Sequence, residues 1–319
     1  MLPDANRPRP AEYPFPNIHH SHVEDEPMSL ISRRTVLTVL AGSPLAMSRW
    51  LPAAENTHDL TLLVMDPLAK ELSCPCVKGY AQREYNELGK YLAAKLKRPV
   101  KVVFSETLVG AMKSGKLPDG VDLIIGKRSV VEFDARTTQI GVTPVASLSG
   151  KDGVTSQFGL IVVPAKDPAK TVKDLKGYQI YFGPEDCDEK HKAALALLKQ
   201  NGIDIPAKLE TCSACADGAT KILELGADVR AATVISSYAA PLLEGCGTIQ
   251  KGDLRVVGKT APVPFVTAFT TERIGEKDRA AIRDILLELI ESPKLCQALE
   301  TQLGFVELAD AAESTAKKK

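Results

Sequence analysis

The chain has 319 residues, 44% of them hydrophobic and 25% charged, a globular composition with length enough for two lobes. Lys plus Arg and Asp plus Glu both total 40, and aromatics make up only 5%. No overall field therefore favours nucleic acid, no stacking surface for bases stands out, and no apolar run approaches the ~20 residues of a membrane span.

Residues 1–28 are rich in Pro, His and acidic residues and carry no periodicity. They read as a disordered leader, or as an upstream extension with Met28 as the start. Ser32-Arg33-Arg34-Thr35-Val36-Leu37 follows, then a weakly apolar stretch to Ala46. Paired arginines before a short apolar stretch make a secretory signal of the twin-arginine type. Processing after Ala46-Met47-Ser48 or after Pro52-Ala53-Ala54 fits equally. The expected location is periplasmic or secreted.

From there strands and helices alternate. Leu60–Met65 is a strand by its continuous apolar run. Residues 81–97 follow a helical period, with Tyr85, Leu88, Leu92 and Leu96 on one face. Val100–Phe104 is a strand, Glu106–Ser114 a short helix, Val121–Ile125 a strand, Ser129–Arg136 a helix and Val142–Leu148 a strand. The alternation restarts with a strand at Phe158–Val163, a helical turn at Thr171–Gly177 and a strand at Gln179–Phe182. Helices are expected at Asp188–Asn201 and Ala216–Leu225, then strands at Ala231–Ile235, Leu254–Val257 and Phe265–Phe269. Glu276–Ser292 is a long amphipathic helix, and a short one follows from Leu295. Such alternation implies parallel sheets with helices on their faces.

Four segments, in this order and spacing, carry a family resemblance: Tyr85–Val103, Val121–Gly126, Asp174–Pro184 and Pro262–Phe265. Over about residues 59–309 the chain resembles the periplasmic substrate-binding proteins of ABC transporters, in their phosphate, phosphite and phosphonate-binding branch. The resemblance implies an α/β, type II periplasmic-binding fold with two lobes and a ligand cleft between them. Residues 56–150 and 262–310 would form the first lobe and 151–261 the second, flanked by the leader and signal at 1–55 and a disordered tail at 311–319. It implies a non-enzymatic monomer that captures a small, anionic, phosphonate- or phosphate-like solute and delivers it to an ABC permease in the inner membrane. No cofactor and no nucleic-acid partner are expected. The chain departs from the family at one turn. Phosphonate binders present Ser, Thr and Gly after the strand at 179–182, whereas this chain has Glu185-Asp186-Cys187-Asp188-Glu189, whose four carboxylates repel an oxyanion. Asp186 or Asp188 would also make a sound helix cap.

Ligand contacts are expected from strand-end loops, where helix N-termini attract anions. The candidates are Cys74, Cys76, Lys78 and Tyr80, with Arg83 nearby, then Lys127, Arg128 and Ser129, then Ser236, Ser237 and Tyr238. All seven cysteines follow the signal: Cys74, Cys76, Cys187, Cys212, Cys215, Cys246 and Cys296. An oxidising compartment permits disulfides, and an odd count leaves one thiol over. Cys74 and Cys76 are expected to pair with distant cysteines of the same lobe, or to bind a metal. In that alternative Cys74, Cys76, Cys187, His191, Cys212 and Cys215 would serve copper or zinc or a redox role, with Cys187 and His191 on one helix face and Cys212-Ser213-Ala214-Cys215 activated by a helix start.

Overall fold

Leu60–Met65 (β1) is buried at every position, and its side chains alternate between two cores. The computed structural model describes residues 58–73, 82–226 and 229–308. The leader, the signal, Cys74, Cys76, Lys78, Tyr80 and the tail at 311–319 lie outside them.

The first lobe is built on a six-stranded sheet. Around β1 lie Val100–Phe104 (β2) and Leu123–Lys127 (β3), both parallel to it. Val142–Leu148 (β4) is reached by chain order, but its neighbour in the sheet arrives much later. Leu60, Leu62 and Val64 face a core closed by the helix Tyr85–Leu96 (α1). Leu63 and Met65 face the other core, with the helices Leu108–Lys113 (α2) and Arg128–Thr138 (α3). Burying both faces explains why the strands read as unbroken apolar runs rather than alternating ones.

The chain then crosses through Ser156–Gln157 (β5) into a five-stranded sheet. Gly159–Pro164 (β6), Gln179–Phe182 (β7), Glu210–Thr211 (β8), Ala231–Ser236 (β9) and Leu254–Lys259 (β10) build it in the order β10-β6-β9-β7-β8. A 3-10 turn at Val172–Leu175 and the helix Lys192–Gln200 (α4) cover one face. The helices Cys215–Glu224 (α5) and Ala239–Gly245 (α6) cover the other.

The return passes through Val263–Pro264 (β11), which pairs antiparallel with β5 to form a two-stranded ribbon between the sheets. Val266–Thr271 (β12) then inserts between β3 and β4, antiparallel to both. The helices Glu276–Leu287 (α7) and Pro293–Ala298 (α8) pack on the first core, and Phe305–Val306 (β13) edges β4.

Two expectations are corrected here. The sheets are mixed, because β12 runs against its neighbours and β6 runs against β9 and β10. The helix expected from Asp188 starts at Lys192, because residues 183–191 close on themselves instead. Gly183 N–H donates to Lys190 O (3.2 Å), Lys190 and His191 N–H donate to Cys187 O (3.0 and 2.9 Å), and His191 Nδ1 bonds Gly183 O (2.8 Å). Cys187 and His191 therefore share no helix face.

Candidate functional site

The 183–191 loop belongs to the second lobe by sequence but docks on the first. Cys187 packs in the first lobe's core beside Met65 and Val130. Asp188 N–H donates to Ser129 Oγ (3.4 Å). Two glycines permit the loop's close packing within its own lobe. A Cβ on Gly159 would lie 2.1 Å from Glu189 O, and one on Gly183 would lie 2.5 Å from Lys190 Cβ.

Glu189 is fully buried between the lobes. Lys127 Nζ, from the end of β3, donates to its Oε1 at 2.7 Å. Ser236 Oγ, from the end of β9, donates to the same oxygen at 2.5 Å, and Gln157 Nε2, from β5, reaches Oε2 at 3.2 Å. Burial alone would push the Lys127 ammonium down, but the Glu189 carboxylate more than reverses this and holds it above the ordinary lysine value. The pair is fully committed to itself.

Lys190 is the opposite case. It is 5% exposed, and among the described residues its ammonium has no carboxylate or carbonyl partner. The other buried charges are met. Arg83 pairs with Asp66 (2.8 Å), Asp122 with Arg273 (2.9 Å), and Asp134 accepts Leu108 N–H (2.7 Å). The stem of Lys190 is covered while its ammonium, among the described residues, is without a partner at the wall of a cavity, a place suited to a counter-charge.

That place is a cavity of about 380 Å³ between the lobes. Lys127, Lys190 and Tyr238 contribute its polar wall, and Met65, Val130 and Leu243 part of its apolar wall. The start of α5 also opens on it, through Ser213, Ala214 and Cys215. Asp217 folds back to accept Ala214 N–H (3.0 Å) and Ser213 Oγ–H (2.8 Å), which fixes that helix end. The helix dipole adds to the attraction for an anion. A larger cavity, about 750 Å³, lies on the ribbon side of Tyr238. Its cations are already engaged: Arg83 by Asp66, Lys151 by Glu300 (2.8 Å), and Lys259 over the Phe158 ring (3.5 Å).

The other candidates from the sequence divide by role. Ser236 and Lys127 meet on Glu189, and Ser129 holds Asp188. Arg128 turns to Glu132 (2.8 Å) on its own helix. Ser237 continues the pairing of β9 with β6, its N–H donating to Phe158 O (2.8 Å) and its Oγ accepting from Phe158 N–H (3.3 Å). Tyr238 is half-buried, stacks on Phe265 (5.1 Å between centroids) and lines both cavities; desolvation pushes its phenol up. Lys190 is the residue the sequence reading missed.

The expected pairing of Cys74 and Cys76 falls outside the described residues, which hold the other cysteines. Cys187, Cys212, Cys215 and Cys296 carry free thiols, so no disulfide joins them. Burial pushes the Cys187 thiol up to about 11 and raises Cys212 as well, so the helix start does not activate Cys212. Among the described residues no group of three or more His, Cys, Asp or Glu is placed to hold a metal. The His191 ring is already engaged by Gly183 O.

The family described as "ABC transporter, phosphonate, periplasmic substrate-binding protein" matches residues 79–314. No curated protein matches by sequence. Among solved structures, a Xanthomonas citri protein bound to chloride ion is similar at 17% identity and a TM-score of 0.59, covering 81% of this chain and 95% of that one. A binding-protein component of an ABC phosphonate transporter from Pseudomonas aeruginosa is similar at 13% identity and 0.57, covering 82% and 85%. A Prochlorococcus marinus protein in complex with methylphosphonate is similar at 14% identity and 0.57, covering 82% and 99%. At these identities the likeness is one of fold, the two-lobed fold of periplasmic binding proteins.

Proposed function

The chain belongs to the phosphonate-binding family of periplasmic substrate-binding proteins of ABC transporters, and on that premise we propose that it captures a small oxyanion of the phosphonate class in the Lys190 cavity. It is a binding component, not an enzyme, and works with an ABC transporter. The observation that carries the ligand reading is the ammonium of Lys190, without a partner among the described residues, which lines the cavity between the lobes together with the start of α5. A phosphonate or similar oxyanion supplies the missing charge, and its oxygens accept from the ammonium and from helix N–H groups. The apolar wall accommodates a short organic substituent. Export through the Arg33-Arg34 signal fits delivery to the periplasm.

Calorimetric titration and thermal melts with methylphosphonate, inorganic phosphate and methanesulfonate test this reading. A true ligand at about 100 times its Kd stabilises by about 2.7 kcal/mol. Absence of any response to all three overturns the reading.

A further inference from the structure

We infer that Glu189 sets the charge the cavity accepts, restricting it to singly charged oxyanions. The inference rests on the oxyanion reading above and deepens it. Two lysines, Lys127 and Lys190, both largely buried as residues, line one cavity. Left to themselves they would suit a dianion. Glu189 takes one of them, with donors from Lys127, Ser236 and Gln157 on its two oxygens. It also cannot readily leave. The loop that carries it is closed by the Gly183–Lys190 and His191–Gly183 bonds, and Cys187 anchors it in the first lobe. Apart from the exposed Glu106, the charge lining the cavity is therefore that of one unmatched ammonium.

A monoanion beside Lys190 leaves the site neutral. A dianion brings a second negative charge near the Glu189 carboxylate, where low polarisability screens the repulsion poorly. An alkylphosphonate exists in both forms and changes between them near neutral pH, whereas an alkylsulfonate carries one charge throughout. The site is thus predicted to take the singly protonated form of a phosphonate.

The other charged and titratable groups facing Glu189 and the cavity must be separated from the ligand's own ionisation. On the loop these are Asp186, Cys187, Asp188 and His191; on α5 and the segment before it, Cys212, Cys215 and Asp217; of these Cys187 and Cys215 line the cavity itself. Tyr238 and the exposed Glu106 complete the set. Methanesulfonate, with its fixed charge, reports any titration among them, so the affinity ratio of methylphosphonate to methanesulfonate isolates the ligand's charge.

The test is calorimetric titration of both probes at about pH 6 and about pH 9, on the wild-type chain and on Glu189→Gln. In the wild type the phosphonate-to-sulfonate ratio should fall about tenfold or more as the phosphonate becomes a dianion. In Glu189→Gln, which frees Lys127, the fall should vanish or reverse. A flat or rising ratio in the wild type overturns the charge assignment while leaving the oxyanion reading intact, and this arm stands even where the variant does not fold. An unchanged fall in a folded Glu189→Gln also overturns it. Binding of neither probe at either pH overturns both readings.

Discussion

Lys127 and Glu189 are 62 residues apart and belong to different lobes, yet their charged groups meet at 2.7 Å with almost no exposure on either side. The protein groups that join the lobes include this pair, the Asp188–Ser129 bond, the insertion of Cys187 into the first core and the Tyr238–Phe265 stack. In a hinge-closing binder such contacts normally come from the solute. Here the chain's own carboxylate occupies a cradle of ammonium, hydroxyl and amide that is chemically suited to an oxyanion.

Lys127→Met should destabilise the protein by about 3–5 kcal/mol, because it strands Glu189 as a buried, uncompensated carboxylate. The double variant Lys127→Met with Glu189→Leu should recover most of that loss, since removing both charges avoids the desolvation cost. Urea melts of the single and double variants measure the coupling. A loss below about 1 kcal/mol in the single variant would mean that the pair relaxes to solvent.

Lys190→Met should behave differently. It removes an ammonium with no partner, so the ligand-free protein should hold its stability or gain slightly. Oxyanion affinity should fall at least about tenfold, or about 1.4 kcal/mol. The two readouts split the functional from the structural role: destabilisation with unchanged ligand affinity would show Lys190 to be structural.

The contrast between these two lysines explains what the sequence disclosed and what it hid. β1, β2, β4 and β7 have the bounds expected from their largely apolar runs, because burial, complete in β1 and partial in the others, writes itself into local composition. The antiparallel return of β12 is not local; it depends on a chain that has first built the other lobe. The 183–191 loop misled for the same reason. Asp188 is a good helix cap by propensity, but its N–H bonds Ser129 in the other lobe and the helix begins later. Lys190 follows an acidic run, a context that reads as a solvated face, and only the fold buries it. Gly159 and Gly183 are the local traces of that burial, though a glycine alone does not say which neighbour it admits.

Gly159→Ala tests how tightly the loop is seated. The added methyl would fall 2.1 Å from Glu189 O, on a strand whose Gly159 N–H is pinned to Thr260 Oγ1 at 2.8 Å. Overpacking of this kind costs about 1–3 kcal/mol, and here it should also lengthen the Lys127–Glu189 contact. Melting temperature and a crystal structure of the variant check the two effects. Unchanged stability would show that the 183–191 loop has slack.

Cys187 gives a pH-dependent signature of the same docking. Burial in the first core moves its thiol from the ordinary value near 9 to about 11. The folded state therefore holds this proton at pH values where the unfolded chain has released it. The contribution is fully present below about pH 9 and is lost as pH rises towards about 11, on the order of 2–3 kcal/mol in all. Tyr85 and Tyr238 are raised by burial too and act in the same direction, so the wild-type slope alone does not isolate the thiol. The difference does: across that window Cys187→Ala should lose less stability than the wild type, whatever its starting value. Parallel curves for the two proteins would mean that Cys187 is solvated and the loop is not seated in the first lobe. Alkylation supplies an independent check. At about pH 8 the native thiol should resist iodoacetamide and react only on unfolding, because the thiolate is the nucleophile.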